Sequence, residues 1–321
     1  MRLSIRASLS VHRIGAVALA SVALVFAACS SGEEAGSAAG ATEAPGGQER
    51  QIRVVTTLYP LEYFARRVGG DLVEVTNLVG PGVSGHDFEP SPNDMRTMQA
   101  ADLIVVNGVG FEPWIDRAIA SLGDGVQPVV DVSHQFSLNG AGASAGGADP
   151  HLWLDPLKAK RQVEAVLEAL AAADTIHQDV YEQRAERLLV EIELLHDQYS
   201  STLQTCRHST FVTSHAAFGH LASRYGLTQI ALAGISSDAE PATGELARLT
   251  RQIDASGVKY VLAETFAGRR LSQTVANEIG ATVLDMHPLE SLTPDQADSG
   301  ETYLSIMRLN LESLSTALEC E

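Results

Sequence analysis

Positive charge is scarce in this 321-residue chain, with 22 Lys and Arg against 40 Asp and Glu and a formal net charge of -18. Such a surface repels phosphate backbones, which excludes a nucleic-acid binder, and it attracts cations. Cysteine is scarcer still, at three. That excludes a disulfide-dense mini-domain and the closely spaced cysteines of a zinc knuckle. No apolar run is long enough to span a bilayer comfortably, since the longest extends only from Ile14 to Ala28. No HExxH-type local metal motif is present either. With 45% hydrophobic and 19% charged residues, wholesale disorder is also excluded.

What is present begins at the N-terminus. Arg2, Arg6 and Arg13 precede the Ile14–Ala28 run, an export signal by its length and flanks. Phe26-Ala27-Ala28 leads into Cys29, and small residues directly before a cysteine resemble the lipobox of bacterial lipoproteins; Phe26 departs from the usual Leu. Residues 1–28 are therefore read as a lipoprotein signal peptide, with Cys29 as the lipidated residue. Residues 29–50, rich in Gly, Ala, Ser and Glu, are read as a flexible tether. The protein is expected on the outer face of the cytoplasmic membrane. In that oxidising compartment the remaining pair, Cys206 and Cys320, is expected to form a disulfide.

From Ile52 on, short β-branched runs alternate with amphipathic stretches. Strands are expected at 52–56, 73–79, 103–107 and 128–132, then at 210–214, 228–232, 259–264 and 281–284. Between the two sets, residues 156–204 read as helix almost throughout. Their second piece, from about His177 to Gln204, contains no Pro or Gly. The fold class expected is α/β: two lobes, each with a mainly parallel sheet flanked by helices, joined by one long rigid linker helix. The lobes are assigned to residues 51–174 and 206–321, with the linker at 175–205.

Open parallel sheets bind ligands beyond the carboxyl ends of their strands. Four polar residues fall there: His86 after the second strand, His151 after the fourth, His215 directly after TFVTS and Asp285 directly after ATVL. Three imidazoles and a carboxylate from four loops would complete a four-coordinate N/O metal site. Their spacings of 65, 64 and 70 residues carry no signature of their own, and a lone strand-end His is ordinarily just a solvated loop residue. Glu89 and Glu290 are alternatives to Asp285, and His287 is a competitor for the site. Trp153 is read as packing beneath it.

GHDFEPSPND, DPHLWLDP, VTSHAAFGHLASRYGL and LDMHPLES, with the closing GETYLSIMRLNLESL, resemble in order the cluster A-I solute-binding lipoproteins of ABC importers. This family captures zinc or manganese outside the cell, and the likeness runs from about Arg53 to Leu318. The resemblance implies a metal held between two helix-bridged lobes by His86, His151, His215 and Asp285, a membrane permease as partner, and no enzymatic activity. A monomer is the default for such a tethered carrier. His215, where manganese-handling members tend to have Glu, points to Zn2+ over Mn2+. Residues 138–148 lack the His/Asp-rich loop of many zinc members. A manganese or iron carrier and a zinc hydrolase are the rival readings.

Overall fold

The computed structural model describes residues 50–321 apart from 124–126, 137–142, 145–146, 236–240 and 265–267; the signal, Cys29 and most of the tether lie outside the described residues. In the first lobe β1 (Ile52–Thr56), β2 (Val73–Asn77), β3 (Leu103–Val106) and β4 (Val129–Asp131) alternate with α1 (Tyr59–Gly69), α2 (Pro92–Ala100) and α3 (Ile115–Leu122). The sheet is wholly parallel in the order β2-β1-β3-β4, with Ile52 opposite Val73, Val54 opposite Leu103 and Ile104 opposite Val129. All four residues of β3 are buried, as expected of a central strand covered by helices on both faces.

A short antiparallel pair, β5 (Ala143–Ser144) and β6 (Gly147–Ala148), precedes α4 (Pro156–Ala173) and α5 (Gln178–Leu203). The second lobe holds β7 (Thr210–Thr213), α6 (Gly219–Arg224), β8 (Thr228–Ala231), α7 (Thr243–Ser256), β9 (Tyr260–Ala263), α8 (Arg269–Ile279) and β10 (Thr282–Asp285). Its sheet is also parallel, ordered β10-β9-β7-β8. Counted from each lobe's first strand, both sheets read second-first-third-fourth. The chain ends in α9 (Pro294–Ser299) and α10 (Tyr303–Ala317). The short α9 escaped the sequence reading. A Thr293–Gln296 capping box and Pro294 in its first turn start it.

The fold class is the expected one, two parallel-sheet lobes and a long helix. The helical region divides at a 3-10 turn, Thr175–His177. At 26 residues α5 is about 39 Å long. Tyr181, Ala185, Leu188, Ile192, Leu195, Tyr199 and Leu203 recur every three or four positions along it and are all buried, so one stripe faces inward over its whole length. That stripe joins Phe64 and Trp153 of the first lobe to Phe211, Tyr303 and Met307 of the second in one continuous core. A Ser91–Asp94 capping box at the start of α2 is formed in both directions.

Polar contacts also bind the lobes. Trp153 Nε1 donates to Pro288 O at 2.7 Å, Tyr303 Oη donates to Trp153 O at 2.6 Å, and Arg224 makes a forked ion pair with Asp155. His220 is buried and bridges the lobes. Its Nε2 donates to Asp149 O at 2.9 Å, and its Nδ1 meets Lys158 Nζ.

Cys206 and Cys320 form a disulfide across 114 residues, tying the end of α10 to the segment before β7. Replacing both by Ser is expected to cost about 4–5 kcal/mol in the chain-entropy account of so long a loop, read as a fall in the urea midpoint without loss of the native fold.

Candidate metal centre

Four strand-end loops converge on one point between the lobes. His86 lies between β2 and α2, His151 between β6 and α4, His215 two residues past β7, and Glu290 in the segment after β10. One ligand atom from each lies within 4.8 Å of all the others. His86 Nε2 is 3.2 Å from His151 Nε2, and Glu290 Oε1 is 3.4 Å from His86 Nε2 and 3.5 Å from Nε2 of both His151 and His215. Four of the six separations are thus 3.2–3.5 Å and the other two lie within 4.8 Å; a regular tetrahedron with edges of 3.2–3.5 Å has its centre about 2.0–2.1 Å from each corner, the Zn–N and Zn–O bond length. Glu290 Oε1 and His215 Nε2 are buried with no hydrogen-bond partner among the described residues, an arrangement costly for an empty polar pocket and natural for a cation site.

Supporting carboxylates set the tautomers. Asp149 Oδ1 accepts from His151 Nδ1 at 2.8 Å and from the His151 backbone N–H at 3.0 Å. Glu264 accepts from His215 Nδ1 and from Ser214 Oγ. With Nδ1–H donating outward, both rings turn the Nε2 lone pair to the centre. Among the described residues no such carboxylate meets His86 Nδ1. The His86 ring lies 4.8 Å from that of Phe111, which in turn lies 5.4 Å from Trp153. Trp153 also lies 5.3 Å from the His151 ring, so it packs beneath the site as expected.

Without a cation the site stores protons. Burial pulls the His215 imidazole down, but the charge of Glu264 more than offsets this and raises it to about 10. Burial and the Asp149 hydrogen bond oppose each other in the same way at His151, with a net upward shift. At Glu290 burial pushes upward, yet the three surrounding imidazoles hold the carboxyl well below its usual range. A divalent cation would take the place of those protons.

The structure brings together His86, His151 and His215 and leaves Asp285 out. Asp285 ends the edge strand β10 with its side chain 70% exposed and paired with Arg269. Met286, the next residue, turns inward instead and is buried. The carboxylate facing the three imidazoles is that of Glu290, one of the two alternatives; the other, Glu89, is exposed beside Arg117. The segment carrying Glu290 is fastened to the first lobe. Tyr59 N–H donates to Glu290 O at 3.2 Å, Gly82 N–H to Leu292 O at 2.8 Å and Ser291 Oγ to Val83 O at 2.8 Å. A positive φ of 64° at Leu289 bends the backbone just before it. His287 is not among the four donors that converge, and its Nδ1 accepts the Leu289 N–H at 2.9 Å.

The family described as zinc-uptake complex component A, periplasmic, matches residues 54–317. The high-affinity zinc uptake system protein ZnuA of Bacillus subtilis is 31% identical over 316 residues, covering 95% of this chain and 97% of its own. The zinc-binding lipoprotein AdcA of Streptococcus pneumoniae is 31% identical over 84% of the chain, which spans 56% of AdcA's length. Among solved structures, the Zn(II)-bound ZnuA-like domain of that AdcA superposes with a TM-score of 0.75 at 32% identity, covering 84% of this chain and all of the domain. The laminin-binding protein Lmb of Streptococcus agalactiae, described as having adhesin and metal-transporting activity, superposes with a TM-score of 0.76 at 32% identity, over 84% of this chain and 100% of its own. With its three imidazoles and one carboxylate on the same two-lobed frame, the chain belongs to the ZnuA family of extracytoplasmic solute-binding proteins.

Proposed function

We propose that this protein is the zinc-capturing component of an ABC importer. It binds one Zn2+ through His86, His151, His215 and Glu290 and hands it to a membrane permease. The observation that carries this reading is the cluster of buried donor atoms, four of whose six separations are 3.2–3.5 Å and all of which lie within 4.8 Å. Nitrogen-rich, four-coordinate geometry of this size favours zinc over manganese, which prefers more oxygen and higher coordination. Four protein ligands also leave no open position for an activated water, which separates a carrier from a zinc hydrolase.

Lipidation at Cys29 would hold the carrier at the membrane, with residues 30–50 as its tether and a monomer as the working unit. Among the described residues no helix is long and apolar enough to cross a membrane. Titration of the metal-stripped protein with zinc and manganese in competition tests the reading. One tight zinc equivalent, not displaced by a hundredfold excess of manganese, is expected. Tighter manganese binding would overturn the choice of metal, and tight binding of neither would overturn the site.

A further inference from the structure

His86 is the one imidazole of the site whose Nδ1 has no hydrogen-bond partner among the described residues, so on its outer side packing orients the ring. Phe111 supplies that packing. It is 1% exposed, and its ring also fills the space that a Cβ at Gly85 would need, 2.6 Å from Phe111 Cζ. Phe111 is itself delivered by an unusual turn. After β3 the backbone passes through three consecutive positive φ angles, 77° at Gly108, 56° at Val109 and 75° at Gly110. For the β-branched Val109 that conformation is costly and persists only if something holds it.

Glu112 holds it. Its buried carboxylate folds back under the turn, accepting from Asn107 N–H at 2.7 Å, Gly108 N–H at 3.0 Å and Thr57 Oγ1 at 2.5 Å. The same turn reaches the His151 loop, because Asn107 Nδ2 donates to Pro150 O at 2.9 Å. Glu112 touches none of the four ligands through a hydrogen bond. A buried carboxylate with three donors aimed at it, one residue from the ring that backs a metal ligand, is an expensive group to keep unless the turn's shape matters.

We propose that Glu112 is a positioning residue for metal capture, fixing the Asn107–Phe111 turn so that Phe111 sets the His86 ring. The inference rests on the zinc-site reading above. In place of the carboxylate, the Gln of Glu112→Gln has the same shape but must turn an NH2 group toward one of the backbone N–H donors, so the turn has to shift. Glu112→Ala removes all three acceptors.

The test measures zinc affinity of the full chain by competition with a chromophoric chelator, the visible spectrum of the cobalt-loaded protein, and the melting temperature of the metal-free protein. Glu112→Gln is expected to weaken zinc about tenfold and Glu112→Ala about a hundredfold, the range for groups that orient ligands. Both should alter the ligand-field bands of cobalt. Phe111→Leu, which keeps the turn and removes the ring, should weaken zinc about tenfold, and combining it with Glu112→Gln should add little, because both act through His86. Tyr199→Phe is the stability control: it removes a buried hydrogen bond to Met307 O far along α5 and should lower the melting temperature with zinc affinity unchanged. Wild-type zinc affinity and cobalt spectrum in folded Glu112→Gln and Glu112→Ala would overturn the proposal. So would losses that Tyr199→Phe reproduces, or full additivity with Phe111→Leu. Failure of the wild-type chain to bind zinc at all would instead overturn the zinc-site reading, and this inference with it.

Discussion

Glu290→Ala is expected to weaken zinc binding by well over a hundredfold, and Asp285→Ala by less than about twofold. Groups that merely orient ligands cost roughly 10–100-fold when removed, and loss of a ligand must exceed that. Glu290 Oε1 lies 3.4–3.5 Å from all three Nε2 atoms, so it contributes an edge to each imidazole and the only negative charge at the corners of the site. Without it, three imidazoles would face a dication with no anionic ligand to offset its charge in a buried pocket. Asp285 points to solvent and Arg269, and its removal should leave the donor atoms where they are. Competition with a chromophoric chelator distinguishes the two. Loss of binding in Asp285→Ala with retention in Glu290→Ala would refute the assignment.

That pair of residues marks where the sequence stops being legible. The strands and the long helical region could be read locally because β-branched runs and the seven-residue apolar stripe of α5 are local patterns. The three histidines could be found because each lies in a segment between a parallel strand and the next helix, and strand ends of a parallel sheet gather at one edge. The carboxylate could not be fixed by that rule. Position alone favours Asp285, the last residue of β10, and choosing Glu290 requires contacts with the first lobe at Tyr59, Gly82 and Val83. Those partners are more than 200 residues away in the chain. The same applies to His220, whose partners Asp149 and Lys158 lie in the other lobe, and to Glu191 of α5, which pairs with Arg67. Local pattern shows which residues can bind a cation; only the packing of the two lobes shows which of them meet.

Acid should empty the site, and the protons lost on zinc binding should be countable. His215 in the metal-free protein holds its proton up to about pH 10, because the nearby Glu264 charge outweighs the cost of burial. His151 is shifted upward as well. Coordination needs neutral Nε2 atoms, so at pH 7 zinc must displace at least the His215 proton. Each displaced proton makes the apparent affinity rise about tenfold per pH unit, so from pH 6 to pH 8 it should rise at least about a hundredfold. The metal-free fold should respond in the opposite sense. A histidine raised above its unfolded value stabilises the fold fully below about pH 6.5, and that contribution is lost as pH climbs through the folded value near 10. Between pH 7 and 9 the melting temperature of the stripped protein should therefore fall while its hold on zinc strengthens. Calorimetry at pH 7 in buffers of different ionisation enthalpy should give one or more protons released per zinc. Glu264→Gln, which takes away the carboxylate that retains the His215 proton, should reduce that number by about one and flatten the pH dependence. Proton release of zero, or an affinity unchanged from pH 6 to 8, would show that the empty site is neutral and that the buried carboxylates serve only to orient the rings.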